Sequence, residues 1–331
     1  MRAYCAFEDR PKGLTGVKLL ALSMERHCRD FTLYVGATKE QPEFSEWLKR
    51  HAPHAVPVIL PPLEGPKIKQ IKPAFFLHLF ERGVTDLTWL DTDLLVLRDV
   101  EPLLAPLDDE TILVTQDMDY AFKFNQRLLD HYHLKPARRL DHTVNTCVLR
   151  GTIQHRPIFE KCLEFLQDPF FLEQQAKPYY ERIEGFGYEQ KIFELLLCSR
   201  GDFALPEYPL RFVPEGSGIV QELGVTTYGL RDRLWNGLGW QRPWFIHLPG
   251  IKSWDPDPTK KSYRGSCVFS AFAETYREEL EEPVTWANSS GLTSKIARFL
   301  SFGQPHWVGW GHCLVGKIVR LLKTGTMKRK A

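Results

Sequence analysis

Several classes of protein are excluded by what this chain lacks. Its seven cysteines (Cys5, Cys28, Cys147, Cys162, Cys198, Cys267 and Cys313) are odd in number, widely spaced and without a C-x-x-C pair. Neither a disulfide framework nor a zinc knuckle fits that pattern, and buried thiols in a reducing cytosol are the simplest reading. No run of about eighteen apolar residues occurs, so no membrane-spanning helix is expected. The opening residues, MRAYCAFED, lack the apolar core of a secretory signal, which predicts a cytoplasmic chain. There is no internal repeat and no low-complexity tract. Nor is there a charge excess: the net charge of +2 points to no partner by itself. What is present is a 43% hydrophobic and 12% aromatic chain of 331 residues, enough for a sizeable core.

The first ninety residues alternate. RAYCAF (2–7), FTLYVG (31–36), AVPVIL (55–60) and LTWL (87–90) read as strands. Between them, helical patterns cover about 15–28, 43–51 and 68–82, the last closed by Gly83. Such β-α alternation predicts an α/β fold with a mostly parallel sheet covered on both faces. Ligands of such sheets bind beyond the carboxyl ends of the strands. Two acidic clusters fall there, Glu8-Asp9 after the first strand and Asp91-Thr92-Asp93 after the fourth, and they are expected to share one cleft. Farther on, 111–116, 143–149 and 244–247 read as strands, and 157–167 and 188–198 as helices.

On an extended backbone Asp91 and Asp93 would project together, with Thr92 opposite. Two adjacent carboxylates repel unless a cation sits between them, and hard oxygen donors suit Mg²⁺ or Mn²⁺ bridging to substrate phosphates. A solvated surface turn is the alternative, and the apolar flanks of this segment argue against it. A second constellation is H-L-P-G-I-K-S-W (247–254). There His247 is a candidate metal ligand, Gly250 lets backbone approach a phosphate, and Lys252 offers a point charge.

Together W-L-D-T-D (89–93) and H-L-P-G-I-K-S-W resemble the GT-A glycosyltransferases, in particular glycosyltransferase family 8, the glycogenin and bacterial lipopolysaccharide galactosyl- or glucosyltransferase type. Ser253 stands where that family usually has Pro. Lys67-Ile68-Lys69-Gln70-Ile71-Lys72 is similar to its basic donor-binding helix. Val144-Asn145-Thr146-Cys147-Val148 resembles its N-x-G-V strand with Cys147 for Gly, and Tyr188-Glu189-Gln190 its D-Q pair with Glu for Asp. The resemblance implies a GT-A, Rossmann-like catalytic domain over 1–265 and a metal-dependent hexosyl transfer from a nucleotide sugar, most often a UDP-hexose, with retention. Phe7, Glu8 and Asp9 would face base and ribose. Asp91 and Thr92 would approach the donor. Asp91, Asp93 and His247 would hold Mn²⁺ or Mg²⁺. Lys252, Gly250 and one of Lys69 or Lys72 would meet the diphosphate. Asn145 would bond a sugar hydroxyl, and Gln190 and Glu189 would act near the anomeric carbon.

One further absence is local: after Glu282 there is no Asp or Glu. This tail, within a helical extension over 266–331, carries Lys295, Arg298, Lys317, Arg320, Lys323, Lys328, Arg329 and Lys330 around Trp307 and Trp310. On a helix, Leu314, Val315, Ile318, Val319, Leu321 and Leu322 gather opposite Lys317, Arg320 and Lys323. That is the composition of an interfacial anchor on an anionic membrane, or of a helix packed on the main domain. Residues 1–260 give no basic-groove signal, so no nucleic-acid partner is expected. A glycan or glycolipid acceptor is the expected second substrate. An inverting transferase and a nucleotide-sugar-binding protein without catalysis are the alternative readings. A D-x-D phosphotransferase would place its aspartates after the first strand, not the fourth.

Overall fold

In the computed structural model the described residues are 2–61, 70–117, 122–203, 205–215, 217–221, 243–247 and 276–281. In chain order the elements open with β1 (Arg2–Phe7), α1 (Leu14–His27), β2 (Leu33–Ala37), α2 (Pro42–His51), β3 (Ala55–Ile59), α3 (Ile71–Glu81) and β4 (Asp86–Leu90). Then come β5 (Leu94–Val96), α4 (Glu101–Leu104), β6 (Ile112–Gln116), α5 (Gln126–His131), β7 (Lys135–Pro136) and β8 (Val144–Thr152). The rest are α6 (Arg156–Leu166), α7 (Pro169–Ala176), α8 (Glu189–Cys198), β9 (Ser199–Arg200), β10 (Leu210–Val213), β11 (Ile219–Gln221), β12 (Phe245–His247) and α9 (Arg277–Leu280).

The central sheet has seven strands in the order β10-β6-β8-β4-β1-β2-β3. All neighbours run parallel except β8, which lies antiparallel between β4 and β6. Strand alternation divides the core. Along β1, Tyr4 and Ala6 enter the layer with α1, α2 and β5, while Ala3, Cys5 and Phe7 enter the layer with α3, α6 and α8. In the second layer Phe76 stacks on Phe159 at 4.2 Å. A Cβ at Gly151 would come within 2.7 Å of the Phe159 ring, so only glycine lets α6 seat this closely on β8.

Gly83 closes α3 as its sequence predicts, with φ +85° and its N–H donating to Phe80 O at 3.0 Å. The polar anchor of the sheet is at the far end from Asp91. The Arg150 guanidinium, wholly buried, donates to both Asp86 oxygens at 2.9 and 3.0 Å and to the carbonyls of Asp108 and Thr111. Every charge-bearing edge of that buried group is thereby met.

A small second sheet, β11-β12-β5, packs on the first layer. Its β12 pairs antiparallel with β5, setting His247 opposite Leu94. This pairing, invisible in the local sequence, carries a residue from position 247 to the end of β4. Tyr276–Glu281 also rests on the first layer: Trp47 Nε1 donates to Glu279 O at 2.7 Å, and Arg50 pairs with Glu281 at 2.8 Å. Among the described residues no helix is long and apolar enough to cross a membrane. The basic tail and the expected boundary at 265/266 lie outside the described residues.

Candidate metal and donor site

The carboxyl ends of β1 and β4 adjoin, as parallel neighbours must. Thr92 Oγ1 donates to Glu8 Oε2 at 3.2 Å, so the two acidic clusters do share one locality. The D-x-D segment is not extended, as its spacing suggested. It forms a tight turn between β4 and β5, with Leu94 N–H donating to Asp91 O at 3.0 Å. The turn still brings the carboxylates together and leads into β5, where Leu94, Leu95 and Val96 are buried in the first layer.

Donor atoms of Asp91, Asp93 and His247 all lie within 4.8 Å of one another. Asp93 and His247 are buried, at 8% and 4% exposure, and His247 Nε2 stands 3.4 Å from Asp93 Oδ1. Cis donors each about 2.1 Å from one octahedral ion stand about 3.0 Å apart, so a closure of a few tenths of an ångström would let this pair share a cation. His247 Nδ1 is buried without a hydrogen-bond partner among the described residues. Burial pulls the imidazole towards its neutral form. The Cys147 thiol, then the Asp93 carboxylate, outweigh burial and hold its pKa well above the usual histidine range. A proton would thus compete with a cation for this nitrogen, and two oxygens with one imidazole nitrogen suit Mn²⁺ as well as Mg²⁺.

Asp91 is the most exposed of the three candidate ligands. Its N–H donates to Cys147 O at 2.8 Å, and its Oδ1 accepts from Trp89 Nε1 at 2.5 Å and meets Lys72 Nζ at 3.2 Å. Lys72 is buried and also donates to Thr146 O and Oγ1, both at 2.8 Å, and faces Glu189 Oε1 at 3.5 Å. Burial disfavours its ammonium, yet Asp91 and Glu189 reverse that and raise its pKa. Lys72 is therefore an internal strut from the Asp91 turn to the start of α8, already committed to protein oxygens. Lys69, Gly250 and Lys252 lie outside the described residues.

The Glu8 carboxylate accepts from the backbone N–H, Nε and Nη2 of Arg10 at 2.9, 2.7 and 2.7 Å. A Cβ on Gly13 would strike it at 2.0 Å. Asp9 accepts from Thr38 N–H and Oγ1, both at 2.7 Å. These two acids thus fasten the strand ends to the loops that follow. Phe7 is buried edge-on to Phe75, with ring centroids 6.1 Å apart.

On the other side of β4, Asn145 Oδ1 accepts from Cys147 N–H at 2.9 Å. Gln190 Nε2 donates to Asp117 Oδ2 at 3.3 Å. Sequence reasoning passed over Asp117. The signal was there, an acid directly after the apolar strand TILVTQ, the same placement that singled out Asp91. Cys147 as a neighbour of His247 had no local signal, because β8 and β12 meet only through the folded sheets.

No protein-family model and no curated protein matches the sequence. Solved structures match its fold. The galactosyltransferase LgtC, solved in complex with donor and acceptor sugar analogues, aligns with 84% of this chain and 100% of its own at 14% identity and a TM-score of 0.51. The apo bifunctional glycosyltransferase WbbM aligns over 76% of this chain and 46% of its own, at 13% identity and a TM-score of 0.47, so this chain spans about half the length of WbbM. A glycosyltransferase involved in glycosylating the major capsid of PBCV-1 aligns over 76% of this chain and 94% of its own, at 12% identity and a TM-score of 0.42. With its helix-flanked, mostly parallel sheet, the chain carries the GT-A type of α/β fold seen in LgtC.

Proposed function

We propose that this chain is a metal-dependent glycosyltransferase moving a hexose from a nucleotide sugar, a UDP-hexose first among candidates, to a glycan or lipid-linked glycan. The observation that carries this reading is the convergence of Asp91, Asp93 and His247 at the carboxyl end of β4 in a GT-A fold. The donor set suits a hard divalent ion. Such an ion, when bound, supplies positive charge to the diphosphate that leaves as the anomeric bond breaks.

The chain's own residues would do the rest. Asp93 and His247, buried, fix the ion's position; Asp91 reaches towards the donor with its side chain steered by Trp89 and Lys72. Lys252 and Gly250, a few residues past His247, are the proposed diphosphate contacts, and Lys69 a third. Glu189 and Gln190 open α8 beside Asp91, their side chains aimed by Lys72 and Asp117. A carboxylate and an amide so placed suit the sugar face of a retaining transfer, which rests on the family resemblance. Asn145 is the proposed sugar-hydroxyl contact, and 295–330 the proposed contact with an anionic leaflet.

The test is release of nucleoside diphosphate from a panel of UDP-hexoses with Mn²⁺, with and without glycan acceptors. Asp93→Ala is expected to abolish it in a folded protein. Turnover by that variant equal to the unaltered chain, with metal present, would sink the assignment.

A further inference from the structure

A further buried carboxylate lies one helical turn past Gln190. Glu194, in α8, is 5% exposed; its Oε2 accepts from Val144 N–H at 2.7 Å and its Oε1 meets Lys191 Nζ at 3.1 Å. Burial pushes the Glu194 pKa up, against the pull of Lys191 and of the Val144 N–H. Val144 is wholly buried, so its N–H must find an acceptor within the protein. Val144 also ends the irregular part of β8. Val114 stands opposite Leu149, but the next residue of β6, Thr115, stands opposite Asn145. Thr146, Cys147 and Val148 therefore have no opposite number on β6. This excursion supplies the supports of the site. Thr146 O and Oγ1 accept from Lys72, and Cys147 O accepts from Asp91 N–H at 2.8 Å. Cys147 N–H in turn donates to Asn145 Oδ1 at 2.9 Å. A continuous path of hydrogen bonds and peptide units thus runs from Glu194 through Val144, Asn145 and Cys147 to Asp91.

We propose that Glu194 is a positioning residue for the Asp91 turn. By holding Val144 it pins the end of the β8 excursion on which Asp91 and Lys72 rest. It also joins that excursion to the helix that carries Glu189 and Gln190. This rests on the metal and donor reading above and adds to it a residue that acts through others. A second tie between α8 and this edge runs from Gln190 to Asp117, whose N–H donates to Thr143 O at 2.8 Å. That tie reaches the chain ahead of β8, whereas Glu194 grips β8 itself. The two ties together fix the first turns of α8 against the strand end, so that the residues proposed for the sugar and those proposed for the ion keep one spacing.

The experiment compares the full chain with Glu194→Leu, which removes the acceptor, and Glu194→Gln, which keeps one. Glu194→Asp, one methylene shorter, stands in where Glu194→Leu does not fold. Three quantities are read: UDP-hexose turnover with Mn²⁺, Mn²⁺ affinity by electron paramagnetic resonance, and amide hydrogen exchange by mass spectrometry. In Glu194→Leu, turnover and Mn²⁺ affinity per folded molecule are expected to fall about tenfold or more. Exchange is expected to quicken in peptides covering 91–94 and 144–148 while peptides of β1 and β2 keep their rate. Glu194→Gln is expected to recover most of all three. Unchanged turnover and affinity in folded Glu194→Leu, or equal losses in Glu194→Leu and Glu194→Gln, overturn the proposal. If the unaltered chain neither binds Mn²⁺ nor turns over a donor, the metal reading fails and exchange alone decides. Quickening confined to the two segments, and relieved in Glu194→Gln, then sustains the tie; quickening spread across the sheet, or none, overturns it.

Discussion

At the scale of single residues, the proposed metal site would depend on a competition between a proton and a cation. His247 has a pKa raised well above the usual value of about 6.5. Its protonated form therefore stabilises the metal-free fold fully below the ordinary histidine range, and that contribution is lost as pH rises through the raised value. A cation needs the nitrogen deprotonated, so its affinity runs the other way. Mn²⁺ binding is expected to strengthen with rising pH until the raised pKa is passed and then to level, releasing roughly one proton per ion. Calorimetry in buffers of different ionisation enthalpy measures that proton. An affinity that is flat with pH, with no proton released, would contradict the pairing.

Lys72 makes a second prediction at this scale. Its ammonium is buried against Thr146, Asp91 and Glu189, and Lys72→Ala would strand their acceptors. Loss of hydrogen bonds to a charged group costs about 1.5–3 kcal/mol. The variant is expected to unfold at lower denaturant concentration by that amount and to lose turnover through misplaced Asp91 and Glu189. A variant with full stability would show that Lys72 is held for substrate instead of for the fold.

At the scale of elements, the β-α alternation up to β4 was legible because β1 and β4 are apolar runs buried along nearly their whole length, set off by longer segments with helical patterns. The mostly parallel direction of the sheet was legible too; its one antiparallel strand was not. The antiparallel insertion of β8 between β4 and β6 is a long-range choice that a short apolar run cannot encode. The same holds for β12, whose pairing with β5 is what brings His247 to Asp93. Asp91 and Asp93 were legible from their place after an apolar strand, although the turn that aims them was not. Glu8 and Asp9 were located correctly but are held by Arg10 and Thr38, partners whose types carry no warning of it. Close packing also sets a limit at this scale. Gly151→Ala would press a methyl into the Phe159 ring, and overpacking of this kind costs about 1–3 kcal/mol. Chemical denaturation is expected to show that loss, with metal affinity per folded molecule unchanged.

At the scale of the whole molecule, the sheet separates stability from chemistry. Arg150 and Asp86 lock the end of β4 opposite the Asp91 turn. Removing one partner of a buried ion pair costs about 3–5 kcal/mol. Asp86→Ala is expected to lower stability by about that much while the folded fraction still binds Mn²⁺, since the ligands sit at the other end of the strand. The central claim is that Asp91, Asp93 and His247 form one divalent-ion site for a nucleotide-sugar diphosphate. Its most direct test is a Mn²⁺ titration in the presence of UDP, followed by electron paramagnetic resonance, on the unaltered chain and on Asp93→Ala and His247→Ala. One tight, UDP-strengthened site in the unaltered chain, lost in both variants, is the predicted result; equal Mn²⁺ binding by all three proteins would contradict it.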